Sequence, residues 1–322
     1  MKTALFYNPN AGNKRPAAFV LVRLAAFFQG DELLVADEAL LQPGLSIRLV
    51  EASTSGKDYF GAILERVRAL CEAGAERFAC VGGDGTATYL RTALYLLGLD
   101  LPVLGVSGGT ANVGPIISVK LEDLEGRHVS EARELTYDGV SVLRQNGELI
   151  SLAFNDLVVG DTFLATVQGQ SCSVSVHALL DEGKLVPQTP REDLIGPDFC
   201  VELNGKTIVP ALRDVRQIVI SGVAHENHYG RAVYGPIDKC DWCEKKGVIA
   251  LCDHIAVTFE DNDAGTERFS AMQYLLFGPG DSVKLRGFSP GAALVCDGNP
   301  YKLEGESFAV RYEKDLVRTI TL

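Results

Sequence analysis

In the first third of the chain, apolar runs of strand length alternate with runs whose apolar residues recur at helical spacing. The predicted strands are Thr3–Tyr7, Leu45–Val50, Arg77–Val81 and Pro102–Val106, and the predicted helices are Pro16–Phe28, Asp58–Ala73 and Thr88–Leu97. Strands that alternate with helices of this length favour a parallel sheet covered by helices on both faces. The sequence therefore predicts a Rossmann-like α/β domain over residues 1–120.

The pattern changes after residue 120, where helical spacing is largely absent and runs of β-forming residues follow one another. The predicted strands are Val140–Leu143, Leu149–Val159, Cys172–His177, Phe199–Leu203, Gln217–Val223, Val248–Phe259, Ser282–Leu285 and Phe308–Tyr312. Asn146-Gly147 and Asn204-Gly205 stand between some of them, and Asn-Gly is a strong hairpin signal. We therefore expect a mainly antiparallel β domain over residues 121–300.

The composition excludes several classes of protein. The chain has 322 residues and a net charge of −12, so it lacks the basic surface that nucleic-acid binding requires. Its longest uncharged apolar runs fall well short of the ~20 residues that span a bilayer, and its N-terminus lacks the features of a signal peptide. We therefore expect a cytoplasmic protein that is not integral to a membrane and does not bind nucleic acid. Its 8 cysteines are expected to be reduced there.

The segment Val81-Gly82-Gly83-Asp84-Gly85-Thr86 follows a predicted strand and precedes a predicted helix. Ligands of open parallel sheets bind at this end of the strands. Glycines let the backbone approach a phosphate closely, and a helix N-terminus favours an anion. A carboxylate at such a place repels phosphate unless it serves as a base for an attacking hydroxyl or anchors Mg²⁺. The alternative is a plain strand-to-helix turn, for which Gly-Gly-Asp-Gly is also suitable.

Two further loops of similar composition follow predicted strands of the same half. Ser107-Gly108-Gly109-Thr110-Ala111-Asn112 comes after Pro102–Val106, and Asn8-Pro9-Asn10-Ala11-Gly12 comes after Thr3–Tyr7. The carboxyl ends of parallel strands meet at one edge of a sheet. The three loops are therefore expected to line a single phosphate-binding site.

In this order, the three loops resemble the motif series of the superfamily that contains NAD kinases and diacylglycerol kinases. The resemblance implies a phosphotransferase with an alcohol group of a small-molecule substrate as acceptor. It also implies ATP or polyphosphate as the phosphoryl donor, Mg²⁺ as the cofactor and Asp84 as the catalytic residue. The nucleotide- and phosphate-binding residues that it implies are Asn8, Gly12, Gly82, Gly83, Gly85, Thr86, Gly109, Thr110 and Asn112.

Two segments of the second half extend this resemblance. Asn155-Asp156-Leu157-Val158-Val159 resembles the element with which NAD kinases hold the ribose of their substrate, with Asp in place of Glu. Asn155 and Asp156 are thereby implied as substrate-binding residues. Val295-Cys296-Asp297-Gly298 and the segment 305–310 resemble the closing β-hairpin of both branches. The resemblance thus implies that residues 301–322 form a closing segment that returns toward the first domain.

Features of both branches of the superfamily are present. Pro102–Val106 and the Asn155-Asp156 element favour an NAD kinase, which converts NAD to NADP, whereas Asn8–Gly12 and Asn112 favour a lipid kinase of the diacylglycerol type. The Thr-Gly-Ser-Thr-Ala-Tyr stretch typical of NAD kinase substrate sites is not found in the sequence. We lean to NAD or a related nucleotide as the acceptor and expect a homo-oligomer. The alternatives are a lipid kinase and a nucleotide-binding sensor without turnover.

The second half also contains candidate zinc ligands. Cys240, Cys243, Cys252 and His254 have a spacing that is compatible with one tetrahedral zinc site. Cys252 and His254 are two residues apart on a predicted strand, so they share a face that can equally belong to a core. Both interpretations stay open, and a zinc ion held there would be structural.

Overall fold

The computed structural model describes residues 1–9, 16–108, 114–222, 247–258, 270–303 and 307–322. The chain packs as two compact units. The first comprises Met1–Tyr137 together with Asp315–Leu322, and the second comprises Asp138–Lys314. The functional domains predicted at residues 1–120, 121–300 and 301–322 stay a prediction, because the two units are defined by packing alone.

The first unit alternates strands and helices along the chain. Its strands are β1 (Lys2–Tyr7), β2 (Glu32–Val35), β3 (Ile47–Leu49), β4 (Arg77–Gly82), β5 (Val103–Ser107) and β6 (Ile117–Lys120). Its helices are α1 (Ala17–Phe27), α2 (Tyr59–Glu72) and α3 (Asp84–Leu96), with short 3₁₀ helices at Glu38–Leu40, Leu121–Leu124 and Val129–Glu131.

The second unit consists mainly of strands. They are β7 (Arg133–Leu143), which begins in the first unit, β8 (Leu149–Ala153), β9 (Leu157–Gly160), β10 (Thr162–Val167), β11 (Gln170–Ser175), β12 (Ile195–Leu203), β13 (Lys206–Ile208), β14 (Gln217–Ser221), β15 (Gly247–Cys252), β16 (Met272–Phe277), β17 (Ser282–Phe288), β18 (Ala293–Cys296), β19 (Asn299–Lys302) and β20 (Ser307–Thr321). The helix α4 spans Val176–Glu182. The end of β20, from Asp315 onward, belongs to the first unit.

The sheet of the first unit is parallel, in the order β20–β5–β4–β1–β2–β3, with β6 also parallel to β5. In β4, Ala79 and Val81 pack in a core with residues of α1, while Phe78 and Cys80 of the alternate face are also fully buried. Side chains of a strand alternate between the two faces of its sheet, so both faces are covered. The predicted fold class is confirmed in this half.

Local sequence explains where α2 begins and ends. The Asp58 carboxylate accepts a hydrogen bond of 2.7 Å from the N–H of Gly61, which caps the first turn. Ile63, Val67 and Leu70 are buried at spacings of four and three residues, so they form one apolar stripe. Gly74 follows the helix with a φ of 91°, a conformation that terminates helices and favours glycine.

The second unit contains antiparallel sheets that share a core. One has the order β16–β15–β14–β9–β18–β19, and β13, β12, β17 and β20 pair in a second one. In β14, Ile218 and Ile220 pack in the core that also contains side chains of β12 and β17, whereas Val219 packs in a core on the opposite face. A strand buried on both faces is apolar throughout, which explains the continuous apolar runs in this half. The predicted antiparallel β half is confirmed.

The structure corrects several predicted element bounds. The strand β2 was not predicted, and α3 begins at Asp84 rather than Thr88. The predicted strand Leu149–Val159 is two strands, β8 and β9, with a break at residues 154–156. His177, predicted at the end of a strand, lies in α4. Within the part of the chain that the structure describes, no helix is long and apolar enough to cross a membrane.

We expect the stability of the first unit to fall at acid pH because of a nearly buried ion pair between Arg77 and Asp31. Burial by itself raises the pKa of Asp31, but hydrogen bonds from Arg77 and Thr3 outweigh burial and hold the pKa below its ordinary value. A lowered pKa stabilises the folded state above the unfolded-state pKa of about 3.9, and this stabilisation is lost as the pH falls through the folded-state pKa. Urea unfolding of wild type and Asp31→Asn between pH 3 and 7 measures it.

The Asp31→Asn variant leaves the Arg77 charge buried without its partner, so we expect a loss of about 3 kcal/mol in the free energy of unfolding at pH 7. The difference between the two proteins should shrink toward pH 3. A difference that does not change with pH would contradict this account of the pair.

Candidate functional site

The glycine–aspartate segment lies where β4 ends and α3 begins. Gly83 is the N-cap residue, and Asp84 is the first residue of the helix. A Cβ atom on Gly82 would lie 2.7 Å from the Cβ and the Oγ1 of Thr86, so only glycine fits beneath that side chain. The segment is therefore a tight strand-to-helix connection whose carboxylate lies in the first helical turn.

The end of β1 is tied to the same turn. The backbone N–H of Asn8 donates to the carbonyl oxygen of Val81 at 3.0 Å. Its side-chain Nδ2 donates to Thr86 Oγ1 at 2.9 Å. Asn8 and Thr86 were both predicted as phosphate-binding residues, and the structure brings them into direct contact.

Residues on both sides of the third loop bond to the segment. The N–H of Gly108 donates to the carbonyl oxygen of Gly82 at 2.8 Å. The N–H of Gly114 donates to Asp84 Oδ2 at 3.0 Å. The residues that flank all three predicted loops thus meet at one edge of the sheet. The other predicted contacts, Gly12, Gly109, Thr110 and Asn112, lie outside the described residues.

The chemistry of this edge follows from its backbone. A helix N-terminus carries a partial positive charge, which favours an anion such as a phosphate group. Gly83 and Gly85 carry no side chain and are partly exposed, so the backbone of the turn is accessible there, whereas Gly82 is buried beneath Thr86. Asp84 places a half-buried carboxylate among these groups. The arrangement is suited to bind a phosphorylated ligand and to act on a hydroxyl group beside it.

The second candidate site lies in the second unit, at the break between β8 and β9. The carboxylate of Asp297 accepts hydrogen bonds from three successive backbone N–H groups, at 2.8 Å from Phe154, 2.8 Å from Asn155 and 3.0 Å from Asp156. The N–H of Asp297 in turn donates to the carbonyl oxygen of Asp156 at 2.9 Å. Asp297 is 6% exposed and has a φ of 49°, at the turn between β18 and β19.

These bonds fix the two predicted substrate-binding residues. Asn155 is 5% exposed, and its carbonyl oxygen accepts a hydrogen bond of 2.7 Å from Ser221 Oγ. Its Nδ2 lies 3.4 Å from Asp156 Oδ2, whereas its side-chain Oδ1 is buried and makes no hydrogen bond to any residue that the structure describes. A buried amide oxygen without a donor is costly, so Asn155 is poised to accept a hydrogen bond from a ligand.

The sequence indicated Asp297 only as part of a hairpin motif, and its contact with the 154–156 segment was not predicted. The one signal for it in the sequence is an acidic residue before Gly298 at a turn, which is also common in hairpins. The candidate zinc site stays a prediction, although among the residues that the structure describes no group of three or more His, Cys, Asp or Glu side chains could hold a metal ion. Cys240 and Cys243 lie outside those residues.

Comparison with known proteins gives no match to any protein-family model. An uncharacterized protein of Archaeoglobus fulgidus is 30% identical over 201 residues, which are 60% of this chain and 59% of that protein. The chain therefore matches less than two thirds of the length of this relative.

Solved structures give a likeness over almost the whole chain. A diacylglycerol kinase structure from Bacillus anthracis has a TM-score of 0.57 at 14% identity, covering 100% of this chain and 97% of that one. Yeast NADH kinase, in complex with NADH, has a TM-score of 0.53 at 11% identity and covers 99% of this chain and 82% of its own. At such low identities a structural likeness establishes the fold alone. It confirms the predicted NAD kinase/diacylglycerol kinase-like fold.

Proposed function

We propose that this chain, which has the fold of the NAD kinase/diacylglycerol kinase superfamily, is an ATP-dependent kinase that phosphorylates a hydroxyl group of a small molecule. The observation that carries the proposal is the position of Asp84. Its carboxylate lies in the first turn of α3, and residues at the ends of β1 and β5 bond to the same segment. A carboxylate is favourable at a helix N-terminus in any case, but beside a proposed phosphate site it can also act on a hydroxyl group.

The nucleotide phosphates are proposed to bind the backbone N–H groups of Gly82, Gly83 and Gly85, with Asn8 and Thr86 as side-chain contacts. The loop residues Gly12, Gly109, Thr110 and Asn112 complete this predicted set. Asp84 is proposed to orient the acceptor hydroxyl and to take its proton as the oxygen attacks the terminal phosphorus. The bond between that phosphorus and the bridging oxygen breaks, and ADP leaves with the electron pair.

The residues present fit the Mg²⁺ ion that such a reaction uses. Mg²⁺ typically binds through one or two carboxylates together with substrate phosphates, and Asp84 provides a carboxylate beside the proposed phosphate site. When bound, the ion neutralises charge on the phosphate oxygens.

Asn155 and Asp156 are proposed to bind the acceptor. The buried Oδ1 of Asn155 and the carboxylate of Asp156 are hydrogen-bond acceptors on neighbouring residues. A ligand with adjacent hydroxyl groups, such as the ribose of NAD or a related nucleotide, supplies matching donors.

A lipid kinase is the second candidate, because α1 exposes an apolar face. Phe19 is 46% and Val22 is 54% exposed, and the exposed Ala18 and Ala26 lie on the same side of the helix. Exposed apolar patches of this kind mark contacts with proteins or lipids. The predicted homo-oligomeric state and cytoplasmic location stay predictions, and light scattering after gel filtration tests the first.

The experiment is phosphate transfer from ATP labelled on its terminal phosphate, with Mg²⁺, to NAD and separately to diacylglycerol in mixed micelles. We expect label in NADP that disappears when EDTA removes the Mg²⁺. Label in phosphatidic acid alone would instead establish the lipid kinase. ATP binding without transfer to either acceptor would favour a sensor, and failure to bind ATP would contradict the proposed function.

A further inference from the structure

Three aromatic side chains form a cluster beside the glycine–aspartate segment. The ring of Tyr89 in α3 lies 5.6 Å from the ring of Tyr59 and 5.7 Å from the ring of Phe60, measured between centroids. The Tyr59–Tyr89 pair is T-shaped, with an angle of 71° between the ring planes. In such a geometry the edge of one ring meets the face of the other.

The cluster is located by the two helices that carry it. Gly85 and Tyr89 are four residues apart in α3, so they lie on the same face of the helix, about 6 Å apart along its axis. Gly85 contributes no side chain between Tyr89 and the first turn, and Thr86 is the other neighbour of Tyr89 in that turn. Tyr59 is the first residue of α2, which packs against α3. The rings therefore lie one helical turn from the proposed phosphate site.

The ring of Tyr59 contacts Tyr89, but the side chain is not part of the buried face of α2. The residues of α2 that pack in the interior, Ile63, Val67 and Leu70, are at most 5% exposed, whereas Tyr59 is 65% exposed. A tyrosine at the first helical position contributes little to helix stability, since aromatic residues rank below many others in helix propensity. The side chain instead presents an aromatic surface to solvent.

We propose that Tyr59 and Tyr89 form the surface on which the base of the donor nucleotide stacks. This inference rests on the proposed function, because it assumes that nucleotide phosphates bind at the first turn of α3. A base is planar and apolar on both faces, and stacking on an aromatic side chain is tolerant of base identity. The pair selects a nucleoside triphosphate over inorganic polyphosphate as the donor, since polyphosphate has no base to stack.

The test compares the binding of ATP and of inorganic tripolyphosphate, each with Mg²⁺, by isothermal titration calorimetry. We expect Tyr59→Leu and Tyr89→Leu each to weaken ATP binding on the order of tenfold and to leave tripolyphosphate binding unchanged. Tyr59→Phe and Tyr89→Phe retain the rings and should retain ATP affinity within about twofold. Tyr95→Leu is the matched control, because Tyr95 is 39% exposed near the far end of the same helix.

Each outcome separates this inference from the function on which it rests. Unchanged ATP affinity in both leucine variants, with wild-type protein binding ATP, would overturn the stacking surface and leave the kinase proposal intact. An equal loss of ATP and tripolyphosphate affinity would also overturn it, because the loss would then lie in the phosphate site. A wild-type protein that binds neither ligand would overturn both proposals. Thermal melting of each variant verifies that it is folded.

Discussion

Replacement of Asp84 by asparagine is expected to lower the rate of phosphate transfer by about 10²–10⁴-fold, which is the usual contribution of a general base. Asparagine has the same shape, and its Oδ1 atom can still accept the hydrogen bond that Gly114 donates. The variant therefore removes the charge and the basicity while it preserves the turn. Initial rates with labelled ATP at saturating concentration measure the effect, and calorimetry should show ATP still bound.

Asp58→Asn is the matched control for this variant. Asp58 also lies at a helix N-terminus, where its carboxylate accepts a hydrogen bond of 2.7 Å from the N–H of Gly61. We expect its replacement to leave the transfer rate within about twofold, since capping affects stability rather than chemistry. If Asp84→Asn transfers phosphate as fast as Asp58→Asn does, Asp84 has no catalytic role.

The Asp297→Ala variant is expected to lose about 4 kcal/mol or more in its free energy of unfolding. Each buried donor that is left without an acceptor costs about 1–3 kcal/mol, and three backbone N–H groups bond to this carboxylate. Alanine also adopts the positive φ of this position at a cost of about 1–2 kcal/mol. Urea unfolding measures the loss, and hydrogen exchange should show the amides of residues 154–156 losing protection first.

Asp297→Asn separates charge from backbone conformation. Asparagine adopts a positive φ more readily than most residues and keeps one oxygen acceptor, so we expect a loss about half as large as that of alanine. Under the proposed function, the same variant should also raise the KM for the acceptor more than it lowers kcat, because Asp297 positions the segment that contains Asn155 and Asp156. Wild-type stability in both variants would show that the three hydrogen bonds do not hold the segment.

The first site was largely predictable because its determinants are local. A strand, a glycine-rich turn and a helix follow one another within a few residues, and parallel pairing of the strands brings their carboxyl ends to one edge. The start of α3 was missed because Gly85 weakens the helical signal, although Gly83 and Asp84 are favourable at a helix N-terminus. The helix thus begins inside the segment that was interpreted as a loop.

The second site could not be derived in the same way. Asp297 lies more than 140 residues from the amides that it binds, and a pattern along the chain carries no information about such a pairing. The break between β8 and β9 that Asp297 binds was not recognised either. Both strands are mainly apolar, so the sequence Leu149–Val159 reads as one continuous strand.

Among the elements that were not predicted, β2 and α4 were missed because they are short. β2 has four residues, of which Leu33, Leu34 and Val35 are buried, and so brief a run shows neither alternation nor helical spacing. α4 has seven residues, and its boundaries are set by Ser175, whose hydroxyl accepts from the N–H of Ala178, and by Gly183. β-branched residues in this segment favoured a strand that continued to His177, whereas β11 ends at Ser175.

The division of β20 between the two units has a consequence for synthesis on the ribosome. The first unit receives its last strand from residues 315–322, where Thr319 pairs with Val103 and the Arg91 Nε atom donates to the carbonyl oxygen of Leu316 at 2.8 Å. Domains usually fold as they emerge, with the N-terminal one first. Here the nascent N-terminal half cannot complete its sheet before the whole second unit has been translated. Until then, β5 and the buried guanidinium of Arg91 lack these partners.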